Sequence, residues 1–448
     1  MDLGGCLMGR VWSFVGLWVL SACAPASERL TLETENPLGR GDAPAGFGGG
    51  FDGYNQPSWL LDEYNDHLFE LPLSGSIDAQ PWSGSYWPKH KGGIAYRWMV
   101  DESHDFDLLD MEEIDSADPD TIAMLSPAEK YDLYVGNQHW ALTHRALAES
   151  RPTEATWTGY CHGWASASAE YPEPEPVTVT TPDGIEIPFG SSDIKALLSY
   201  FRGEILRSTY VGHDWSVQPR VMGSVCGSQM PSDAACHDVN PGALHLALAN
   251  RVGVQGRNLF LDVEPRFERW NQPIYRYQSK FLTSRLPSDN AAQGTVEEII
   301  VQTRVEWTAE IEPSWDPVLG SSGQAMHSEL YEYTLELDEA QRVIGGQWVT
   351  KLEPGGYITM GEAWDYLLNA DRDGDGETDL TKSEAAQIIW RYFKLPDYAW
   401  TQDGGAFSEA FMQANSSYSF VGTTSTSRMH MYGYFGPLQA LLEASLAQ

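Results

Sequence analysis

The sequence predicts an α+β protein with antiparallel strands, and three observations predict it. A lone cysteine heads a short helix rich in small residues, residues 297–311 and 329–337 alternate apolar and polar side chains, and an acidic glycine loop lies between two helical patterns. With 448 residues, 42% of them hydrophobic, and 17 Trp, 21 Tyr and 15 Phe, the chain can bury a large core. Its formal net charge of -35 repels phosphate backbones and anionic headgroups, which excludes nucleic acid as a partner class and favours basic partners and calcium.

The first elements concern export. Arg10 precedes an apolar run from Val11 to Leu20, and the tetrad Leu20-Ser21-Ala22-Cys23 resembles a bacterial lipobox. That resemblance implies a signal peptide over 1–22, lipid attachment at Cys23 and an extracytoplasmic protein anchored in the bacterial cell envelope. Residues 23–55, with Pro, Thr, acidic residues and the run Gly46-Phe47-Gly48-Gly49-Gly50-Phe51, read as a flexible tether. Helices are expected from Pro127 to Tyr134 and from Gln138 to Ala148.

The chemistry gathers between residues 153 and 285. A helix is expected from His162 to Ala169, ended by Pro172-Glu173-Pro174-Glu175-Pro176, which cannot continue it. Val177 to Pro188 reads as a hairpin around Pro182-Asp183-Gly184, Ser192 to Tyr200 as a helix, Gly242 to Asn250 as a small apolar element, and Asn258 to Val263 as a buried strand. After the two alternating strands, Arg342 to Val349 follows a turn at Asp338 to Gln341.

Of the five cysteines, Cys6 leaves with the signal, Cys23 is the lipidation candidate, and Cys226 and Cys236 form a close pair expected as a disulfide in an oxidising compartment. Cys161 is left over. At a helix N-terminus, unpaired N–H groups and the dipole favour thiolate over thiol, so Cys161 is a candidate nucleophile. His245 and Asp262, both in apolar surroundings, complete a Cys/His/Asp inventory. His162 and the pair His237 and Asp238 are rival acid–base groups. The plain alternatives are a buried structural cysteine, a hydrogen-bonded core histidine, an aspartate serving a backbone N–H, and Trp157 and Trp164 as packing residues rather than oxyanion donors.

Four blocks carry a resemblance to the transglutaminase elicitor family of oomycete cell-wall enzymes and bacterial relatives. They are Gly159-Tyr160-Cys161-His162-Gly163-Trp164-Ala165 with the Pro-Glu repeat; Asp193-Ile194-Lys195-Ala196-Leu197-Leu198; Asp238-Val239-Asn240-Pro241-Gly242-Ala243-Leu244-His245-Leu246, running on to Asp262 and Trp270-Asn271-Gln272-Pro273; and Tyr333-Thr334-Leu335-Glu336-Leu337-Asp338 with Ile344-Gly345-Gly346-Gln347-Trp348. The resemblance implies a transglutaminase or papain-like catalytic core over 56–350. It implies acyl transfer from glutamine to lysine on protein substrates, with Cys161 as nucleophile, His245 as base and acid, and Asp262 as its orienting charge. A cysteine peptidase or protein deamidase shares the acyl-enzyme step. A non-catalytic calcium-binding surface lipoprotein is the alternative of another class.

Asp371-Arg372-Asp373-Gly374-Asp375-Gly376-Glu377-Thr378-Asp379 sets oxygen ligands at alternate positions around a glycine turn, as in an EF-hand loop. Flanking helices are expected from Met360 to Leu368 and Lys382 to Phe393. Asp371, Asp373, Asp375, Glu377 and Asp379 are the candidate calcium ligands, although Lys382 stands where a bidentate glutamate is expected and Glu384 comes two residues late. This EF-hand-like insertion, 351–394, separates Gly345-Gly346-Gln347-Trp348 from Pro396-Asp397-Tyr398-Ala399-Trp400, so that 395–448 is expected to return to the catalytic domain.

Overall fold

The computed structural model describes residues 50–51, 53, 55–205, 220–223, 239–263, 268–350, 358–359, 396, 398–401 and 431–447. The signal peptide and Cys23, Cys226 and Cys236, His237 and Asp238, and the calcium loop with its helices all lie outside the described residues. Within them, the fold is a mixed α+β arrangement in which an antiparallel sheet carries helices on its flanks.

The strands are β1 (Ser74–Ser76), a hairpin of β2 (Val177–Thr180) and β3 (Glu186–Phe189), then β4 (Arg220–Gly223), β5 (Phe260–Asp262), β6 (Asn271–Arg285), β7 (Glu297–Thr308), β8 (Met326–Leu337), β9 (Val343–Thr350), β10 (Ile358–Thr359) and β11 (Tyr398–Thr401). The main sheet runs β10-β9-β8-β7-β6-β5-β11-β4, with β1 also paired to β6. Residues 297–308 and 326–337 thus form two long strands, close to the 297–311 and 329–337 that alternation predicts. The fifteen-residue β6 has no such signature. Its first four residues are all buried, and a register shift between Ile274 and Arg276 breaks the period of two.

The helices are α1 (Met111–Ser116), α2 (Pro119–Ala123), α3 (Pro127–Tyr134), α4 (Ala141–Ala148), α5 (Cys161–Glu170), α6 (Ser191–Tyr200), α7 (Pro241–Ala247) and α8 (Met431–Leu446). Helix α3 opens with a capping box between Ser126 and Glu129 and Pro127 at its first position. Helix α4 begins at Ala141 rather than Gln138, because Trp140 takes a left-handed conformation (φ 52°) and the Asp132 carboxylate accepts from the N–H groups of Leu142 and Thr143. Helices α6 and α7 each continue into a wider π turn, at Phe201–Ile205 and Leu248–Val254.

Two cores sit on opposite faces of the sheet. Along β5 and β11 the side chains alternate: Leu261 and Ala399 join the core that holds α7 and the long strands, whereas Phe260 and Trp400 join the core that holds α3 to α6. On the helical side, Lys130 of α3 and Asp193 of α6 form a fully buried ion pair at 2.6 Å, and Trp98 Nε1 donates to the same carboxylate at 2.8 Å. Lys195 reaches Ser83 O and pairs with Glu173, whose carboxylate also takes the N–H groups of Val318 and Leu319. The Pro-Glu segment therefore ties α6 to the loop after β7. On the other face, α7 crosses β9 at glycines: a Cβ on Gly242 would lie 2.3 Å from Gly345 O, and one on Gly346 would lie 2.7 Å from Gly242 N. Only paired glycines allow that approach.

The segment expected as a tether is docked at its end. Gly50 bridges to Gly345, and Asn55 accepts the Asn240 N–H at 2.7 Å, so the chain joins the body before residue 55.

Candidate active site

Cys161 is the first residue of α5, and close packing explains the glycines on either side of it. A Cβ on Gly159 would meet Tyr86 O at 2.5 Å, and the Tyr160 N–H donates to that same carbonyl at 2.6 Å, fixing the turn that delivers the cysteine. On Gly163 a Cβ would meet Ser199 O at 2.0 Å, so α5 lies against α6 with nothing between their backbones. The helix head is thereby pressed onto the start of β6.

The sulfur is enclosed there. Cys161 is 5% exposed, donates its S–H to Arg269 O at 3.3 Å, and accepts from Asn271 Nδ2 at 3.6 Å and from the Asn271 backbone N–H. Asn271 pairs in register with Asp262 across β5 and β6, and Asp262 Oδ1 takes the Trp270 N–H at 2.7 Å. The structure therefore brings Cys161 and Asp262 to one place. Tyr86 and Trp270 pack beside the site at 5.9 Å between ring centroids, and Trp157 packs onto the same core.

Ionisation is not favoured as the helix-terminus argument predicts. Burial pushes the Cys161 thiol up to about 11; the hydrogen bonds from Asn271 oppose this, while the Glu310 and Asp262 carboxylates add to it. Desolvation raises it because the sulfur is inside the protein, and the charged groups acting on it are anions. The resting group is a thiol.

His245, the expected base, is hydrogen-bonded to a group other than the sulfur. It lies in α7, its Nδ1 is 2.8 Å from Tyr333 Oη, and Tyr333 continues to Thr303 and Ser279 through contacts of 2.6 and 2.8 Å. Tyr333 belongs to the row Phe281–Val301–Tyr333, ten residues along β6 from Asn271, in the same core as Cys161. The imidazole makes no hydrogen bond to Cys161 or Asp262. Burial alone drives it down to about 4, so it is neutral and held as a core group. Register along the strands decides this placement, and chain order carries no such information.

His162, the rival base, turns Nε2 to Gly203 O at 3.2 Å. Trp164 is fully buried, with its indole N–H lacking a protein acceptor, and packs in the helical core.

Three further residues complete the surroundings. Trp400 of β11 donates from Nε1 to Asn271 Oδ1 at 2.7 Å while stacking on Phe260 at 4.4 Å. Gln272 Nε2 donates to both oxygens of Glu310, at 3.1 and 2.9 Å. The Trp-Asn-Gln-Pro and Pro-Asp-x-x-Trp stretches stand out in the sequence, but the partners of their side chains come from strand pairing.

Residues 136–354 match the family model for transglutaminase elicitors. No curated protein matches the chain. Among solved structures, the crystal structure of the GP42 transglutaminase from Phytophthora sojae matches with a TM-score of 0.53 at 20% identity, covering 86% of this chain and 94% of that one. At that identity the likeness is one of fold.

Proposed function

The chain belongs, through residues 136–354, to the transglutaminase elicitor family, and from that premise we propose that it is a transglutaminase-type acyltransferase with Cys161 as its nucleophile. One observation carries the reading. Within the family segment, a free cysteine occupies the first turn of α5 against the paired strands that hold Asp262 and Asn271. In the acylation step Cys161 Sγ forms a bond to the carboxamide carbon of a glutamine side chain, the C–N bond breaks, and the thiol proton leaves with the nitrogen as ammonia. A lysine amine then attacks the thioester, forming the isopeptide bond and returning a proton to sulfur. Asp262 and Glu310 are the carboxylates whose charge acts on the sulfur.

The test is incorporation of a labelled primary amine into a glutamine-bearing protein by the full chain and by Cys161→Ala. Loss in the variant supports acyl transfer to amines. Ammonia release without incorporation would identify a deamidase, peptide cleavage a cysteine peptidase, and thiol-independent behaviour throughout would leave a binding lipoprotein.

We further propose attachment of the envelope protein through a lipid on Cys23, and calcium binding by Asp371, Asp373, Asp375, Glu377 and Asp379. The support for both is the residue spacing. Mass spectrometry of the purified N-terminus tests the first. A melting temperature unchanged by millimolar calcium would remove the second.

A further inference from the structure

We propose that Asn271 is a catalytic residue of this site, the side-chain donor that stabilises the Cys161 sulfur anion, and that Trp400 is the positioning residue that aims it. This rests on the acyl-transfer reading above, because it assigns the group that meets the negative charge on sulfur during attack and during release of the thioester.

The geometry has three parts. The Asn271 amide points its nitrogen at Cys161 Sγ, at 3.6 Å, and its oxygen at Trp400 Nε1, at 2.7 Å. An amide whose oxygen is held by a donor-only indole cannot turn that oxygen toward the sulfur without losing the bond, so Trp400 selects the orientation that presents N–H groups to the anion. Both residues are buried, Asn271 at 3% and Trp400 at 4% exposure. A hydrogen bond to an anion at such a site is stronger than one in water.

The surroundings make the donor necessary. Asp262 from β5 and Glu310 from beyond β7 both oppose a negative sulfur, and Glu268 is tied to Trp270 Nε1 at 2.8 Å. His162, the neighbouring ionisable group on α5, faces Gly203 O. Among the described residues no cation contacts the sulfur, so hydrogen bonding from Asn271, through its backbone N–H and its amide, is what the anion receives.

Trp400 also lies beyond the family segment. Strand β11 enters the sheet between β5 and β4, with Trp400 opposite Phe260. A stretch after the expected calcium insertion thus supplies the orienting bond.

The experiment is the pH–rate profile of iodoacetamide alkylation at Cys161, with kcat and KM for amine incorporation, in Asn271→Ala, Asn271→Asp and Trp400→Phe. Asn271→Asp keeps an acceptor for the indole, and Trp400→Phe keeps the ring against Phe260, so folded variants are available if alanine disturbs packing. The expected result is alkylation at fixed pH falling about tenfold in Asn271→Ala, more in Asn271→Asp, and severalfold in Trp400→Phe, with the profile displaced to higher pH. For amine incorporation, kcat falls with KM little changed. Profiles overlapping that of the wild type would overturn the proposal even if amine incorporation is intact. Displaced profiles in a protein that incorporates no amine would leave the hydrogen bond standing and remove the acyl-transfer reading.

Discussion

At the residue scale the active thiol and the buried imidazole have separate problems. Cys161 is held protonated by burial, and wild-type alkylation is expected to rise about tenfold per pH unit toward pH 11 while the protein stays folded. A plateau near neutral pH would mean that the sulfur is already an anion. His245 gives the opposite kind of pH dependence. Its folded value near 4 lies below the ordinary 6.5, so the unfolded chain binds the extra proton. The stability that this group contributes is complete above about pH 6.5 and is lost as pH falls toward 4, with a slope of up to about 1.4 kcal/mol per pH unit. His245→Asn is expected to flatten that acid limb in denaturant titrations while leaving the Cys161 alkylation profile unchanged. A large displacement of that profile would restore the histidine to the site.

At the element scale the decisive contacts are backbone against backbone. The Gly-Tyr-Cys-His-Gly motif reads in the sequence as the setting of a reactive cysteine, and the structure gives its glycines a packing reason: Gly159 passes Tyr86 O, and Gly163 passes Ser199 O. Gly163→Ala must therefore move α5 away from α6. We expect a loss of at least about 2 kcal/mol, read as a lower denaturation midpoint, together with slower Cys161 alkylation because the helix head shifts from Asn271. A variant as stable as wild type would show that the two helices part without strain. The helices α3, α5 and α6 and the strands β7, β8 and β9 were legible because caps, prolines and alternation act locally. Strand β6 was not, since its opening residues are buried on both sides and its bulge conceals the alternation that follows.

At the scale of the whole molecule, charge and topology dominate. A net charge of -35 spread over one chain opposes compaction, and moderate sodium chloride screens it. The melting temperature is expected to rise between roughly 10 and 150 mM salt; a flat response would mean that the acidic groups are already compensated, and repeating the series with calcium chloride at matched ionic strength separates specific binding from screening. Topology places β11, far along the chain, between β5 and β4, so that the second core and the thiol site share Trp400. A chain ending before residue 395 would lack the orienting bond to Asn271.

The sequence by itself determined the mixed fold class, the long antiparallel strands, the unpaired cysteine at a helix head and the family to which the central segment belongs, because composition, periodicity and contiguous motifs express local preferences. Only the tertiary structure decided which of the distant polar residues meet the sulfur. Asn271 reaches it, and Asp262 lies beside it, because their strands pair in register; Trp400 reaches Asn271 because β11 joins the same sheet; and His245 is held by Tyr333, ten residues further along the sheet in register, an arrangement set by a strand order that the linear chain does not state.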